Sequence, residues 1–174
     1  YHVLYHKMMA SKIGIFTASN ASPELISELK SLLSKSEIDM TIFYREFSKE
    51  IKDFDAFWKV IILASYQNKE ALENGINAWQ DWFEDFYAVL KKEAIESEER
   101  IRAMRAINPK YVLRNYMAQL AIDDAEKNDY GLLDELYRVL KKPYDEQPEM
   151  EKWFAKRPDW AKEKVGCSML SCSS

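Results

Sequence analysis

Residues 68–94 read NKEALENGINAWQDWFEDFYAVLKKEA and form the longest helical pattern in the chain. Large apolar side chains recur in this stretch at steps of three and four: Leu72, Ile76, Trp79, Phe83, Phe86 and Leu90. That spacing places them on one face of an α-helix, because three or four residues make about one turn. Gly75 interrupts the stretch and disfavours helix by about 1 kcal/mol relative to alanine, so we expect a bend or a close helix crossing there.

Shorter pieces of the same pattern fill most of the chain. Possible N-caps mark four helix starts: Ser22 ahead of Pro23, then Asp39, Asp53 and Ser97. The other predicted helices cover about residues 2–13, 22–36, 39–50, 53–66, 97–107, 110–127 and 132–142. Among these, residues 53–66 are apolar nearly all round, which predicts a central helix.

The first predicted helix has an apolar face and a clear end. Val3, Leu4, Met8 and Ile13 lie near one side of it. Gly14 suits the position just after the helix, because glycine tolerates a positive φ.

The pattern becomes irregular after residue 142. Pro143, Pro148 and Pro158 follow the last clear helix, with short helices expected around Trp153 and Trp160. We therefore predict an all-α fold. It comprises a single bundle-like domain of about 7–9 helices over residues 1–165, with an irregular Pro-rich C-terminal segment, and a flexible Cys/Ser tail over 166–174.

Composition limits the classes of function. The chain has 174 residues, of which 47% are apolar and 13% aromatic, enough for one compact core. Its net charge of −4 and the lack of a basic block argue against nucleic acid as a partner. No apolar run approaches the roughly 20 residues that span a bilayer, so we expect no membrane partner either. The chain opens at Tyr1 without an initiator methionine, which indicates a piece of a longer protein.

Two patterns resemble catalytic or metal sites but lack the rest of the motif. His2 and His6 stand four residues apart, as helical metal ligands do, yet no third ligand is obvious, so packing is the favoured interpretation. Residues 129–131, Asp-Tyr-Gly, resemble the Asp-Phe-Gly of kinases. No glycine-rich loop, strand lysine or catalytic loop accompanies them, so we interpret them as a turn that caps the following helix.

Two further features have structural interpretations. The aromatic stretch could be a ligand box, but aromatic residues at helical spacing more often form a core: Trp79, Trp82, Phe83, Phe86 and Tyr87. Arg114 lies among apolar residues, and an unpaired buried charge is costly. We expect it to form a structural ion pair with Asp145, or with the neighbouring Glu146.

The only two cysteines, Cys167 and Cys172, lie in the last nine residues, GCSMLSCSS. Two cysteines cannot form a secreted disulfide framework, which favours a reducing compartment. Three interpretations stay open: incidental free thiols, a local disulfide that closes the small loop between them, or a redox thiol that reacts with a group outside this chain.

Four ordered motifs carry a resemblance to a known family: NPKYVLRNYMAQLAI at 108–122, PYDEQPE at 143–149, RPDWA at 157–161 and SCSS at 171–174. Together they closely resemble the C-terminal part of selenoprotein O, the YdiU-type family. The earlier stretches MMASKIGI and DMTIFYREFS are also similar to segments of that family.

The resemblance implies an activity for a parent protein. Family members are pseudokinase-fold enzymes that bind ATP in an inverted orientation and, with Mg²⁺, transfer AMP to hydroxyl side chains of other proteins. Their catalytic residues lie in a kinase-like core, and none of its motifs matches a position here, so the resemblance implies no catalytic residue, metal or cofactor in this chain. Cys172 takes the family's place third from the C-terminus. It is therefore expected to form a regulatory disulfide with a cysteine of that core.

We therefore expect a C-terminal helical scaffold of a protein adenylyltransferase. Its partners would be the kinase-like core, missing from this chain, and the parent's protein substrates. The expected location is the cytoplasm, or the mitochondrion for a eukaryotic protein. The alternatives are a helical module that recruits protein substrates and an independent thiol redox protein.

Overall fold

The structure, a computed structural model, describes residues 2–17, 20 and 22–164. Within these ranges it contains ten α-helices, one 3₁₀ helix and no strand, so the all-α prediction is confirmed. The α-helices are α1 (His2–Lys12), α2 (Pro23–Lys35), α3 (Met40–Phe47), α4 (Phe54–Ala64), α5 (Lys69–Glu73), α6 (Ile76–Leu90), α7 (Ser97–Ile107), α8 (Asn115–Ala125), α9 (Gly131–Leu140) and α10 (Trp160–Glu163). The 3₁₀ helix spans Pro148–Trp153, between α9 and α10.

Three of the four predicted helix starts are confirmed. Ser22 Oγ accepts a hydrogen bond from the N–H of Leu25 at 3.1 Å, and Pro23 is the first helical residue. Asp39 and Asp53 cap α3 and α4 in the same way, at 3.1 and 2.8 Å. The fourth was wrong, because Ser97 is already inside α7 and the N-cap is Glu96, without a side-chain bond.

The chain divides into two compact units, Tyr1–Asn108 and Pro109–Ser174. The boundary falls inside the motif NPKYVLRNYMAQLAI, between its first two residues. One domain over residues 1–165 stays a prediction, because two compact units can belong to the same domain.

The first unit is built around the aromatic face of α6. Trp79 and Trp82 are completely buried, and Trp82 stacks on Phe86 with ring centres 5.2 Å apart. Phe57 of α4 stacks on Phe83 at 5.0 Å. Each such ring removes a large apolar area from water, so these contacts form the centre of the core. The core interpretation is therefore confirmed for Trp79, Trp82, Phe83 and Phe86, whereas Tyr87 is only half-buried.

The predicted long helix is two helices. Asn68 caps the short α5, α5 ends at Glu73, and Gly75 is the N-cap of α6 with φ −102°. The break lies where glycine weakens helix formation, and it lets α6 take its own direction across α2 and α4.

The surface differs from the sequence expectation at α1 and α4. Val3, Leu4 and Met8 of α1 are exposed, whereas Ile13 is buried. Helix α4 buries Phe57 and Ile61 but exposes Leu63, so it is not enclosed on all sides. Hydrophobic periodicity places residues on a face, and tertiary packing decides which face is covered.

The second unit is a hairpin of α8 and α9 with the C-terminal segment packed against it. Its buried cluster comprises Tyr116, Met117, Ala121, Leu136 and Ala161. Ala161 belongs to the RPDWA motif and is completely buried, so only a small side chain fits there without repacking.

Helix α8 starts five residues later than predicted, at Asn115 rather than near 110. The N–H groups of Lys110 and Tyr111 both donate to the carbonyl oxygen of Pro143, at 2.8 and 3.1 Å. These bonds hold the start of the segment in a non-helical conformation, which competes with helix formation.

Candidate functional site

Two groups of buried polar side chains stand on either side of the unit boundary in the sequence. The Asn108 junction, in the first unit, comprises Lys12, Arg45, Ser48 and Asn108. The Lys110 clamp, in the second unit, comprises Lys110, Glu146 and Glu151. Asn108 and Lys110 both belong to the motif NPKYVLRNYMAQLAI.

Asn108 is completely buried and joins three helix ends. Its Nδ2 donates to the carbonyl oxygen of Lys12 at 2.8 Å, at the end of α1, and to Ser48 Oγ at 2.9 Å, just after α3. Its Oδ1 accepts from Lys12 Nζ at 3.3 Å. Asn108 itself follows the last residue of α7, so one side chain satisfies polar groups at the ends of α1 and α3 from the end of a third helix.

Arginines complete the junction. Arg45 is buried, and its Nη1 donates to the carbonyl oxygens of Arg105 and Asn108 at 3.3 and 3.1 Å. Arg105 Nε in turn donates to the carbonyl oxygen of Ser48 at 3.2 Å. A cation at a helix C-terminus binds unsatisfied carbonyls and complements the helix dipole, so these bonds stabilise the ends of α3 and α7.

Burial shifts the pKa values of two groups beside the junction. It lowers the pKa of Lys12, whose ammonium lies 4.8 Å from the centre of the Tyr44 ring. Burial, with a smaller contribution from Tyr5, raises the pKa of Tyr44 well above its usual value. The phenol therefore stays neutral, and its ring offers a cation–π contact to the ammonium.

The Lys110 clamp holds the PYDEQPE turn. Lys110 is buried, and its Nζ lies 2.7 Å from Glu146 Oε2 and 2.5 Å from Glu151 Oε2. Burial acts to lower the pKa of Lys110, but the hydrogen bonds that its ammonium donates to the two carboxylates outweigh burial and raise the pKa. The ammonium therefore stays charged and binds the turn to the segment that precedes α8.

The same turn also caps α9. Gln147 Nε2 donates to the carbonyl oxygens of Val139 and Lys142, at 3.1 and 2.8 Å. The hydroxyl of Tyr111 donates to the carbonyl oxygen of Gln147 at 3.0 Å. The motifs NPKYVLRNYMAQLAI and PYDEQPE thus meet in one hydrogen-bonded structure. The sequence predicted a contact between these motifs through Arg114, and not the bonds of Lys110 and Tyr111.

A third polar contact binds the loop after α1 to the segment after α6. The carboxylate of Glu93 accepts bonds from the N–H groups of Phe16 and Thr17, and from Asn20 Nδ2 at 2.7 Å. Burial acts to raise the pKa of Glu93, but the hydrogen bonds from Asn20, Phe16 and Thr17 outweigh it and hold the pKa below its usual value.

The two catalytic-like patterns have structural roles in the described residues. Asp129 Oδ1 accepts from the N–H of Gly131 at 2.9 Å, and Asn128 has a φ of 61°, which together form the turn before α9. His6 packs edge-on against Tyr5, with ring centres 5.9 Å apart. No three His, Cys, Asp or Glu side chains within the described ranges are placed to hold a metal ion.

Of the predicted site residues, the structure describes Arg114 and Asp145 but neither cysteine. Arg114 is buried immediately before α8, and Asp145 is exposed in the turn after α9; their ion pair stays a prediction. Cys167 and Cys172 lie outside the described residues, so all three interpretations of these thiols stay open.

Sequence reasoning missed Asn108, Lys110 and Glu93. A signal existed for Lys110, since the segment that begins with it contains two cations, Lys110 and Arg114, and the later turn PYDEQPE is acidic. No comparable signal marks Glu93, which is one of many surface carboxylates in the sequence.

Within the described residues, no helix is both long and apolar enough to cross a membrane.

Comparison with known proteins gives a consistent family. The model of the family described as "Protein adenylyltransferase SelO" matches residues 1–141. A protein nucleotidyltransferase YdiU of Flavobacterium johnsoniae is 51% identical over 173 residues, which cover 98% of this chain and 33% of the relative. The YdiU proteins of Rhodopirellula baltica and Azoarcus sp. are 42% and 38% identical and cover 98% and 96% of this chain.

The chain spans about a third of the length of these curated relatives. The family match extends over α1 to α9 and includes the Asn108 junction. The chain therefore belongs to the protein adenylyltransferase SelO family.

Proposed function

We propose that this chain is the C-terminal helical part of an enzyme that transfers AMP from ATP to protein hydroxyls, and that it supports a kinase-like catalytic core. The observation that carries the activity is the family match over residues 1–141. The relatives bear the name protein nucleotidyltransferase, and each is about three times as long as the part matched here. The catalytic residues then belong to the remainder of the protein.

The use of buried charge supports a scaffold role. Arg45 binds backbone carbonyls at the end of a helix, and Lys110 binds one carboxylate of the PYDEQPE turn and one of the 3₁₀ helix that follows it. Catalytic groups need a polar atom that faces a substrate, whereas these cations bind groups of their own unit. Such contacts rigidify a helical surface against which another part of the protein can pack.

Mg²⁺ and ATP, which the family resemblance implies, do not fit the described charged groups. Lys110 is the best-buried ammonium, but two carboxylates surround it. Asp129 belongs to the kinase-like tripeptide, but its carboxylate accepts a bond from the turn backbone. We therefore derive no step of AMP transfer from these residues and place Mg²⁺–ATP on the core.

The test compares the full-length protein with this chain alone. With ATP labelled on the α-phosphate, the full-length protein should transfer label to protein, because AMP keeps that phosphate. The 174-residue chain should transfer none and should show no ATP–Mg²⁺ binding by calorimetry. Micromolar nucleotide affinity of the chain alone would contradict the division of roles, and an inactive full-length protein would contradict the activity.

Regulation through Cys172 is part of the proposal. Its thiol and a thiol of the core would each lose one proton and one electron to a disulfide oxidant such as oxidised glutathione, which is reduced to two thiols. The resulting bond would hold the tail on the core and limit activity. Because such a bond must open in use, we place the protein in a reducing compartment, the cytoplasm.

Mass spectrometry of the non-reduced full-length protein should find Cys172 in a disulfide with a core cysteine. Cys172→Ser should remove this species and make AMP transfer insensitive to oxidant, while Cys167→Ser, the matched control, should leave both unchanged. A disulfide between Cys167 and Cys172 would favour the local-loop interpretation. A strongly depressed thiol pKa in this chain alone would favour an independent redox protein.

A stripe on α9 favours a second candidate function, recruitment of protein substrates. Tyr130, Leu133 and Tyr137 are exposed and follow one another at steps of three and four along the start and length of α9. Lys141 continues the line, with its ammonium 5.4 Å from the centre of the Tyr137 ring. Exposed tyrosines are enriched at protein-binding surfaces, and this enrichment carries the candidate.

This candidate predicts that a change on α9 weakens binding of a protein substrate without affecting ATP. Leu133→Asp should raise the KM for a protein substrate while leaving binding of ATP to the full-length protein unchanged. Leu63→Asp, an equally exposed leucine on α4, is the control and should change neither quantity. Equal effects of the two substitutions would remove the case for recruitment by α9.

A further inference from the structure

We infer that the outer face of α1 is a docking surface for the remaining two thirds of this protein. The inference rests on the proposed function, because it takes the occupant to be the rest of the same polypeptide. We define the α1 surface by Leu4 and Met8 on the outer side of the helix, and by Val3 with the pocket beside His6 on the adjoining side.

The α1 surface is apolar and open. Val3 is 81% exposed, Leu4 72% and Met8 49%, and the four-residue step from Leu4 to Met8 puts these two on the outer side of the helix. Helix α1 buries Met9 and Ala10 towards the core, and Val3 lies two turns before Ala10 along the same side of the helix. A helix that is apolar on both its inner and outer sides has a second face to cover, since contiguous exposed apolar side chains mark interaction sites.

A pocket continues this surface. It measures about 270 Å³, and its apolar lining includes Val3, Ala10, Ile15, Phe16 and Pro23. His6 lines it as well, and His6 Nδ1 is buried with no hydrogen-bond partner in the part of the chain that the structure describes. The pocket therefore presents an apolar recess, and beside it the buried His6 Nδ1 is a polar atom of the kind that normally has a partner.

Length and charge identify the occupant. The relatives match nearly all of this chain yet are about three times as long, so a family member has about twice this much additional polypeptide. Helix α1 carries the exposed Lys7 beside the pocket and no aspartate or glutamate, although the whole chain has a net charge of −4; its other lysine, Lys12, belongs to the Asn108 junction. The surface therefore suits an apolar segment with acidic side chains at its edge, supplied by the remainder of the protein.

Methionine oxidation in the full-length protein tests the inference with an internal control. Met8 and Met40 are exposed to similar extents in this structure, 49% and 40%, and Met9 is buried. Hydrogen peroxide oxidises exposed methionine faster than buried methionine, and fragment-ion mass spectrometry separates Met8 from Met9. We expect the oxidation rate of Met8 to be lower than that of Met40 by a factor of about ten or more. A smaller difference overturns the inference.

A substitution tests the same contact from the other side. Leu4→Glu in the full-length protein should remove the protection of Met8, whereas Leu63→Glu, on the exposed side of α4, should leave it unchanged. Continued protection in Leu4→Glu overturns the inference. The wild-type measurement does not depend on how well either variant folds.

The remaining outcomes separate this inference from the proposed function. Protection that disappears when the protein is diluted to a monomer, as judged by light scattering, identifies a second copy as the occupant and overturns the inference. AMP transfer without Met8 protection removes only this inference. Met8 protection in a monomer without AMP transfer supports the docking surface and removes the proposed activity.

Discussion

Replacing Asn108 with alanine should destabilise the first unit more than the same replacement of an exposed asparagine. The side chain is completely buried and makes three hydrogen bonds, two to Lys12 and one to Ser48. Alanine keeps the backbone bond from residue 108 to Met104 but removes all three side-chain bonds. The carbonyl oxygen of Lys12 then loses a buried donor.

The magnitude follows from these bonds. A typical intramolecular hydrogen bond contributes about 1 kcal/mol to stability, and a buried group left without a partner costs about 1–3 kcal/mol. Ser48 Oγ keeps its own bond to the carbonyl oxygen of Tyr44, at 2.7 Å, so it is only partly affected. We therefore expect Asn108→Ala to lower the free energy of unfolding by about 2–4 kcal/mol, or Tm by roughly 5–15 °C for a chain of this length.

Urea unfolding measures the free energy of unfolding, and tryptophan fluorescence follows the two units separately. Fluorescence of Trp79 and Trp82 reports on the first unit, and single-tryptophan variants separate it from the signal of Trp153 and Trp160. Asn77→Ala is the control, because Asn77 is exposed in α6 and alanine is the better helix former there. A loss below about 0.5 kcal/mol for Asn108→Ala, or one equal to that of the control, would refute the reasoning.

Three further predictions concern pH and backbone conformation. Glu93→Gln should lower stability by about 1–2 kcal/mol near neutral pH, because charged hydrogen bonds are lost. Since folding lowers the pKa of Glu93, the difference from wild type should be full above the unfolded pKa, near 4.3, and fade as the pH falls through the folded pKa. Lys110→Met should lower stability by about 1–2 kcal/mol. The control is Lys127→Met, because Lys127 is exposed and pairs with Asp124; its loss should be at most about 0.5 kcal/mol. Since folding raises the pKa of Lys110, its contribution should be full below the unfolded pKa, near 10.4, and be lost as the pH rises through the folded pKa. Gly14→Ala should cost about 1–2 kcal/mol or more, because φ is +83° and the new Cβ would lie 2.8 Å from Met104 Sδ. Gly75→Ala, whose Cβ would make only an ordinary contact at 3.6 Å with the carbonyl oxygen of Leu72, should be neutral or stabilising.

Thermal and chemical unfolding across pH check all three. A Glu93→Gln difference that grows in acid would reverse the sign argued from its hydrogen bonds. Equal losses for Lys110→Met and Lys127→Met would show that burial of the ammonium adds nothing. A Gly14→Ala protein as stable as wild type would mean that neither the positive φ nor the contact with Met104 is restrictive.

Local signals in the sequence predicted most helix starts and the main core. Ser22, Asp39 and Asp53 can bond to an N–H three residues ahead, so their role as caps needs no tertiary context. The aromatic face of α6 was predictable because it depends on spacing within one helix. The prediction for Ser97 was wrong because α7 begins one residue earlier than expected, at Ser97 itself, and its N-cap Glu96 makes no side-chain bond; helix ends are commonly uncertain by one residue.

Contacts between distant segments decided the rest. The N–H groups of Lys110 and Tyr111 bond to Pro143, some thirty residues away, and this delays α8 although the local pattern favours helix. The apolar residues of α1 are similar on both sides, so no periodicity could tell that Met9 is buried and Leu4 exposed. The Arg114–Asp145 ion pair depends on such distant contacts too, and it stays a prediction.

The sequence by itself determined the all-α class, the aromatic core helix, the positions of three caps and, through four motifs, the family. These depend on interactions within about one turn of helix or on the identity of residues. Only the tertiary structure decided that Asn108 joins three helix ends, that Lys110 holds a turn, and which face of α1 is open. Each of these contacts joins groups that are far apart in the chain, and the local sequence does not determine which distant group a side chain will meet.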